Sequence, residues 1–443
     1  MRTGRRAIVV VDLAFGDSGK GAIVDYLCRT SINPIVIRFN GGPQAGHNVV
    51  TPDRRQHTFS QFGSGSFVPG VKTFLSRFML LEPYALLNEA SHLEEVGVGD
   101  AFDRLLIDER CPIITPAHQA GNRLRELFRG DAAHGTCGMG VGELMSDLDR
   151  HRDLVLTAND LADRSTVRRK LHGIREVKRR ELDSLIDGRS APAEAQSSMR
   201  TLVDSSWVEV AVECYAEIAA RTNILREEKV RSVLSEYDTS IFEGAQGVLL
   251  DEGFGFHPHT TWSTTTFSNA DVLLNEAGHI GDRKKIGVFR TYFTRHGIGP
   301  FPTEDVSLIR VLSEPHNDHV GWQGRFRVGP FDAVAARYAL DVVGPIDGLA
   351  ITHMDRLSLL PNSICVAYRH LDRDVRLEVR RPPDLTYQET LTRKLRLCRP
   401  VFQQLKDRQP ETFLTMLRAK LQTPVLITSD GPTASHKKLV EVL

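Results

Sequence analysis

The sequence predicts an α/β protein: a large, mostly parallel central sheet with flanking helices, a P-loop-like phosphate loop, and helical and loop insertions. Three observations lead there. An apolar, β-branched run at Ile8–Val11 stops at a glycine-rich turn and becomes a helical pattern, all within Ala7–Leu27 (AIVVVDLAFGDSGKGAIVDYL). A second run, Pro34–Phe39 (PIVIRF), also empties into a glycine-rich loop, NGGPQAGHNVV at Asn40–Val50. Later strand-like runs, one ending at Ile241 and Phe242 and one at Gly348–Thr352, lead into polar motifs in the same way. Continuous apolar runs suit strands buried on both faces, which is the parallel-sheet arrangement.

In chain order, the first loop comes first. Gly16, Gly19 and Gly21 lack the Cβ atoms that would keep a polyphosphate from the backbone amides. A helix starting near Lys20 aims its free N–H groups and positive dipole end at the same anion, and Lys20 adds a point charge. Asp17 puts a carboxylate inside a loop suited to anions, where it needs a cation or a proton to handle. A glycine turn in any α/β protein would look similar, and the loop is shorter than the Walker pattern. In the second loop His47 follows Gly46 directly, beside exposed backbone. Ligands of open α/β sheets collect beyond the carboxyl ends of strands, so both loops are expected to face one site.

Glu82–Val96 and Pro116–Arg129 read as scaffold helices flanking a short strand at Arg104–Ile107. Arg164–Ile186 is a long charged helix, whose interspersed acids and missing aromatics suit a solvated face better than a nucleic-acid surface. Gly188–Ser198 reads as a mobile loop. The expectation is one domain over residues 1–443, with 92–235 a mainly helical insertion region. Acidic and basic residues balance at 56 each, so no global field draws the chain to nucleic acid or membrane. The six cysteines are far apart with no C-x-x-C, against a zinc site or disulfide framework. No run approaches the roughly 20 apolar residues of a membrane span. The chain reads as cytoplasmic.

Downstream, EGAQG brings Gln246 to a strand tip, where an amide can donate to one oxygen and accept from another. The HPH of His257–His259 has too few ligands nearby for a metal site. Thr261 lies in a hydroxyl-rich run, Thr260–Thr266. Arg325 and Arg327 stand two apart in GRFRVG, so in an extended segment they point the same way and suit a dicarboxylate, or form a solvated surface pair.

Taken together, GDSGKG at Gly16–Gly21 and GGPQAGH at Gly41–His47 resemble the adenylosuccinate synthetase family. The resemblance continues through GTCGMGVGE at Gly135–Glu143, FEGAQGVLLD at Phe242–Asp251, FRTYFTRHGIGPFPTE at Phe289–Glu304 and GRFRVGPFD at Gly324–Asp332, then ITHMD at Ile351–Asp355 and SDGP at Ser429–Pro432. It implies a GTP-dependent, GDP-forming C–N ligase that joins L-aspartate to C6 of a 6-oxopurine nucleotide monophosphate, with Mg2+ and as a homodimer. Asp17, His47, Gln246 and Lys20 are then catalytic. GTP falls to Gly16, Ser18, Gly19, Lys20, Gly21, His353, Asp355, Ser429 and Gly431. The acceptor falls to Gln44, Thr136, Cys137, Arg152, Gln246 and Thr261, and aspartate to Arg325 and Arg327. Mg2+ falls to Asp17 and the Gly46 carbonyl. Asp355 can accept from guanine N1–H and the 2-amino group together, which selects GTP over ATP.

Departures from the family cluster on the acceptor and donor sides. Gln44 stands for asparagine and Cys137 for threonine, while the arginine that reaches across from the partner subunit aligns with His151, so that Arg150 or Arg152 substitutes after a shift. Trp322 and Gln323 stand where threonines are usual, Phe326 interrupts the arginines, and His353 replaces the lysine of TKLD. Three readings follow: an active ligase of this family, a ligase with a different amine donor or acceptor, and a GTP-binding regulator without ligase activity. Retention of Asp17, His47 and Gln246 counts against the third.

Overall fold

Both faces of the first apolar run are covered, which explains why it does not alternate with polar residues. The computed structural model of the protein describes residues 4–186, 192–312, 314 and 322–441. Ten strands form one sheet: β1 Arg6–Asp12, β2 Pro34–Arg38, β3 Lys72–Leu75, β4 Leu105–Asp108, β5 Asn223–Leu225, β6 Thr239–Gly247, β7 Asp282–Arg290, β8 Gly348–Thr352, β9 Val425–Ser429 and β10 Lys437–Leu439. Their order across the sheet is β10-β9-β8-β7-β1-β6-β2-β3-β4-β5. All pairs are parallel except β9 with β10.

Side chains of β1 alternate between faces with period two. Ala7, Val9 and Val11 join a core with Ile35, Ile37, Phe242 and Phe289 on one side. Ile8 and Val10 meet Ile23, Val24 and Leu27 of helix α1 (Lys20–Thr30) on the other. Thus the expected strand and the helix from Lys20 are both present.

Helices dominate between β4 and β5, although those two short strands extend the main sheet. Helix α2 spans Pro83–Glu95, capped by the Glu82 carboxylate, which accepts from the N–H groups of Tyr84 and Ala85. α3 spans Pro116–Arg129 behind a Thr115 capping box, α4 spans Val141–Arg150 and α5 spans Arg164–Ile186. α5 meets α4 through a buried charge network: the Lys178 ammonium reaches Asp147 at 2.8 Å, Glu143 at 2.9 Å and Glu181 at 3.2 Å. The second half of the loop expected at Gly188–Ser198 is ordered differently. Ala195–Val203 is helix α6, which buries Ala195, Ser198 and Leu202, while residues 187–191 lie outside the described residues. Its small and polar residues hid a face that packs on α3. Among the described residues, no helix is long and apolar enough to cross a membrane.

Candidate active site

Strands β1, β2, β6, β7, β8 and β9 point their carboxyl ends at one cleft of about 1420 Å³. This is where an open α/β sheet gathers its ligand loops. The cleft brings together Gly16, Asp17, Gly19, Lys20 and Gly21 from the first loop and Gln44, Gly46 and His47 from the second. Thr136, Cys137, Gln246 and Thr261 line it too, as do His353, Asp355, Ser429 and Gly431 near the far end of the sheet. Ser18, Arg152, Arg325 and Arg327 do not.

Ser18 is turned inward because β1 ends in a buried acceptor, Asp12. That carboxylate accepts from the amides of Ala14 (2.8 Å), Gly16 (3.3 Å) and Ser18 (2.8 Å) and from the Lys20 ammonium (3.1 Å). Lys20 also donates to the Gln246 carbonyl at 2.9 Å. The loop is therefore pre-shaped from within, with the lysine charge balanced by Asp12. Gly16 and Gly19 have φ of +95° and +86°, which favours glycine. Gly21 lines the cleft and also serves packing, since a Cβ there would lie 2.8 Å from the His47 Cβ.

His47 is buried, and its Nδ1 is 2.6 Å from Glu243 Oε1. Glu243 also accepts from the Ser64 amide (2.9 Å) and the Ser64 hydroxyl. Burial would raise the Glu243 pKa, but His47, Arg38 and the Ser64 hydrogen bond outweigh it and hold the carboxylate at about 2. An ionised carboxylate makes Nδ1 the donor and leaves the Nε2 edge for the cleft. Burial lowers the His47 pKa, and Glu243 opposes that.

Asp17 sits at φ +60° with its Oδ2 3.0 Å from His296 Nε2. Arg290 donates from Nε to the Asp17 carbonyl. Burial favours the neutral acid, yet the hydrogen bond and charge of His296, with Arg290 and Lys20, hold Asp17 at about 2. It is a carboxylate at neutral pH. Gln246 lies opposite at φ +55°, and neither its Oε1 nor its Nε2 has a partner among the described residues. A buried amide with both polar atoms unspent in a cleft is expensive unless a ligand completes it.

The acceptor side is shaped from α3. Glu126 accepts from the amides of Gly135 (2.8 Å) and Thr136 (3.1 Å), and Asn122 donates to the Thr136 hydroxyl at 3.0 Å. Gln44 is half-buried, with both polar atoms of its amide covered and unpartnered among the described residues. Burial pushes up the Cys137 pKa, so it presents a thiol. Arg152 lies at the surface, its Nε donating to the Leu148 carbonyl, whereas Arg150 lines the cleft. His257 and His259 are spent on the Glu252 and His134 carbonyls rather than on a shared ion.

The paired arginines do point the same way, but at a carboxylate of the chain itself. Arg325 meets Glu304 at 2.8 Å and Arg327 meets it at 2.6 Å. Arg327 also donates to the carbonyls of Gly297 (3.0 Å) and Gly299 (2.9 Å), leaving it buried. The sequence spacing predicted their common direction; the occupant of the fork was hidden, because Glu304 comes from a separate segment.

Asp12, Glu243, Arg290 and His296 were not singled out from the sequence. Each lies inside or next to a recognised motif, and a polar residue directly after an apolar run (Val11, Leu13 around Asp12; Ile241, Phe242 before Glu243) was the available signal for Asp12 and Glu243.

A sequence model described as adenylosuccinate synthetase matches residues 9–436. The chain belongs to that family. Among similar proteins, the adenylosuccinate synthetase of Hahella chejuensis is 31% identical over 445 residues, covering 96% of each chain. That of Vibrio parahaemolyticus is 34% identical over 386 residues, covering 84% of this chain and 82% of the relative. The fully ligated adenylosuccinate synthetase structure from Plasmodium falciparum superposes with a TM-score of 0.76 at 21% identity, covering 98% of this chain and 99% of that one. Cyanophage S-2L succinoaminodeoxyadenylate synthetase, bound to dGMP and dATP as an energy donor, has the same fold (TM-score 0.60, 15% identity, covering 99% of this chain and 96% of that one). An adenylosuccinate synthetase family member is a GTP-dependent ligase, so this chain is an enzyme of that class, and the fold expected from the sequence is the one observed.

Proposed function

We propose that this enzyme joins L-aspartate to C6 of IMP, or of a closely related 6-oxopurine nucleotide, through a 6-phosphoryl intermediate made with GTP. The observation that carries the reading is the meeting of Asp17, His47 and the unspent Gln246 amide in one cleft. A lactam oxygen is a poor leaving group. Asp17 takes the N1 proton, O6 attacks the γ-phosphorus of GTP, and the bond to the β-bridging oxygen breaks to release GDP. The donor amine then adds at C6, phosphate leaves, and the amine proton is lost. Gln246 meets the charge spread over the transferring oxygens, and so does His47 as an imidazolium, with Nδ1–H on Glu243 and Nε2–H toward the cleft, a form that an anionic polyphosphate favours. The donor set suits Mg2+, which commonly takes one carboxylate plus phosphate oxygens: Asp17 is ionised, and the Gly46 backbone is exposed, with a Cβ there meeting only Thr58 at 3.6 Å. These two would hold the ion, which supplies charge neutralisation on the polyphosphate when bound.

The test is GDP and phosphate release by purified protein with GTP, Mg2+ and aspartate across IMP, dIMP, GMP and dGMP. Release with none of them removes the reading. For the nucleotide, Asp355 has its carboxylate 3.1 Å from Arg356 at the cleft edge. Asp355→Asn is expected to weaken GTP and favour xanthosine triphosphate, whose 2-oxo group accepts from the new amide; an unchanged preference, read from KM ratios, counts against Asp355 as the base reader.

A second reading, a different amine donor, draws on the Glu304 clamp and on half-exposed Trp322, whose ring packs under the Arg123 guanidinium at 5.6 Å. If a donor carboxylate takes over Arg325, Arg325→Ala should raise the donor KM roughly ten- to a hundredfold and leave the KM of GTP unchanged. Arg325→Lys should rescue little, because an ammonium lacks the bidentate fork. Equal turnover with monocarboxylate amines would favour the second reading.

A further inference from the structure

At the far end of the cleft, a lysine from the last strand is buried under the loop that the SDGP motif forms. Lys437 opposite Ser429 in the β9–β10 pair is 6% exposed. Its ammonium donates to three successive carbonyls of that loop: Gly431 at 3.0 Å, Pro432 at 3.0 Å and Thr433 at 2.9 Å. The Ser429 hydroxyl adds a bond to the Gly431 carbonyl at 3.1 Å. The loop thus closes on a cation, and the same cation lines the cleft with Asp355 and Gly431.

The charges around it are one-sided. Asp25 of α1, Asp430 of the loop and Asp355 beyond β8 all act on the ammonium as carboxylates. Lys438 reaches Asp430 at 3.1 Å and Arg29 reaches Asp25 at 2.9 Å, so these two are shared, while Asp355 is shared with Arg356. On the opposite wall His353 is uncharged: burial, then the charges of Arg290, Arg356 and Lys437, push its pKa far down, and its Nδ1 is 2.8 Å from the Thr352 hydroxyl. Among the groups flanking the base end, Lys437 is a cation tied at once to the loop backbone and to the field of Asp355.

We propose that Lys437 is a positioning residue for the purine base of the energy-donating nucleotide, folding the Ser429–Thr433 loop around its ammonium so that the loop and the Asp355 carboxylate, held by Arg356, face the same base edge. This rests on the reading that GTP occupies this end of the cleft. Three donors in tetrahedral array match three inward carbonyls. Methionine would fill the volume but leave those carbonyls unpaired. Arginine would keep the charge while losing the three-carbonyl geometry.

The experiment measures GDP and IDP binding by calorimetry, and kcat and KM for GTP and ITP, in the wild type, Lys437→Met and Lys437→Arg. Lys437→Met should weaken GDP roughly ten- to a hundredfold, narrow the preference for GDP over IDP (which lacks the 2-amino group), and leave IMP binding and kcat nearly unchanged. Lys437→Arg should recover part of the GDP preference. Wild-type GDP affinity in Lys437→Met, or an equal loss for GDP, IDP and IMP, overturns the proposal. If Lys437→Met does not fold, judged by its thermal melt, pH replaces it. Burial lowers the Lys437 pKa to about 8 against the pull of the three aspartates, so wild-type GDP affinity should fall between about pH 7 and about pH 9. The Lys437→Arg affinity should fall only as far as the nucleotide's own ionisation requires. Parallel profiles in the two proteins overturn the proposal. A wild type that binds no guanine nucleotide at all would instead sink the reading of the cleft on which this rests.

Discussion

Replacing Asp17 by Asn is expected to cut kcat by at least about a hundredfold while leaving GTP affinity within about tenfold, the loss typical of a missing general base. The amide keeps the size and one acceptor oxygen but cannot take a proton. His296 approaches Asp17 at 3.0 Å, so the amide also has a neighbour to hold it in place. Because Asp17 is also the proposed Mg2+ ligand, affinity is measured across a magnesium titration, which separates a lost base from a lost metal. Turnover near wild type removes Asp17 from the proton-transfer role.

The second large effect is expected at Glu243, which is buried behind His47 and does not line the cleft. Glu243→Gln should lower kcat by about 10²–10³, as much as His47→Gln, since the first strips the carboxylate that supports the His47 imidazolium and the second removes that donor itself. The double variant should then cost little more than either single one. Glu243→Ala should in addition destabilise the fold, because it removes the carboxylate whose charge offsets the fully buried Arg38 guanidinium on the neighbouring strand, which among the described residues hydrogen-bonds only the Phe62 carbonyl, at 3.0 Å. The acid limb follows in sign. The carboxylate is held at about 2 against its ordinary 4.5, so its contribution is complete above about pH 4.5 and is lost as pH falls toward 2. Urea melts at several pH values check this. A Glu243→Gln enzyme with wild-type kcat would remove the relay to His47.

What the sequence made legible was local. The strand, glycine loop and helix at Ala7–Leu27 are contiguous, and so are the Gly46–His47 turn and the strand that ends near Gln246, so composition and spacing sufficed. The partners of these residues were not legible. Asp12 faces backwards into its own loop, Glu243 reaches His47 and Ser64 from β6, and Glu304 closes on Arg325 and Arg327 from a separate segment of the chain. Such contacts depend on which strands lie side by side, and period-two patterning names the faces of a strand but not its neighbours. The same limit applied to Ala195–Val203, where a weakly apolar stretch becomes helix because α3 offers it a surface.

The position of β1 in the sheet has a consequence for how the chain is made. It is synthesised long before either of its two neighbours, Thr239–Gly247 and Asp282–Arg290. At roughly 5–20 residues per second on the ribosome, tens of seconds pass before the second neighbour emerges. For that interval Ile8–Val11 is a β-branched segment with both edges open, the kind of sequence that pairs with other nascent chains. Long-range pairing of this sort also slows folding once synthesis is complete. Soluble yield should therefore respond to chaperone supply and growth temperature more steeply than the stability of the finished enzyme implies.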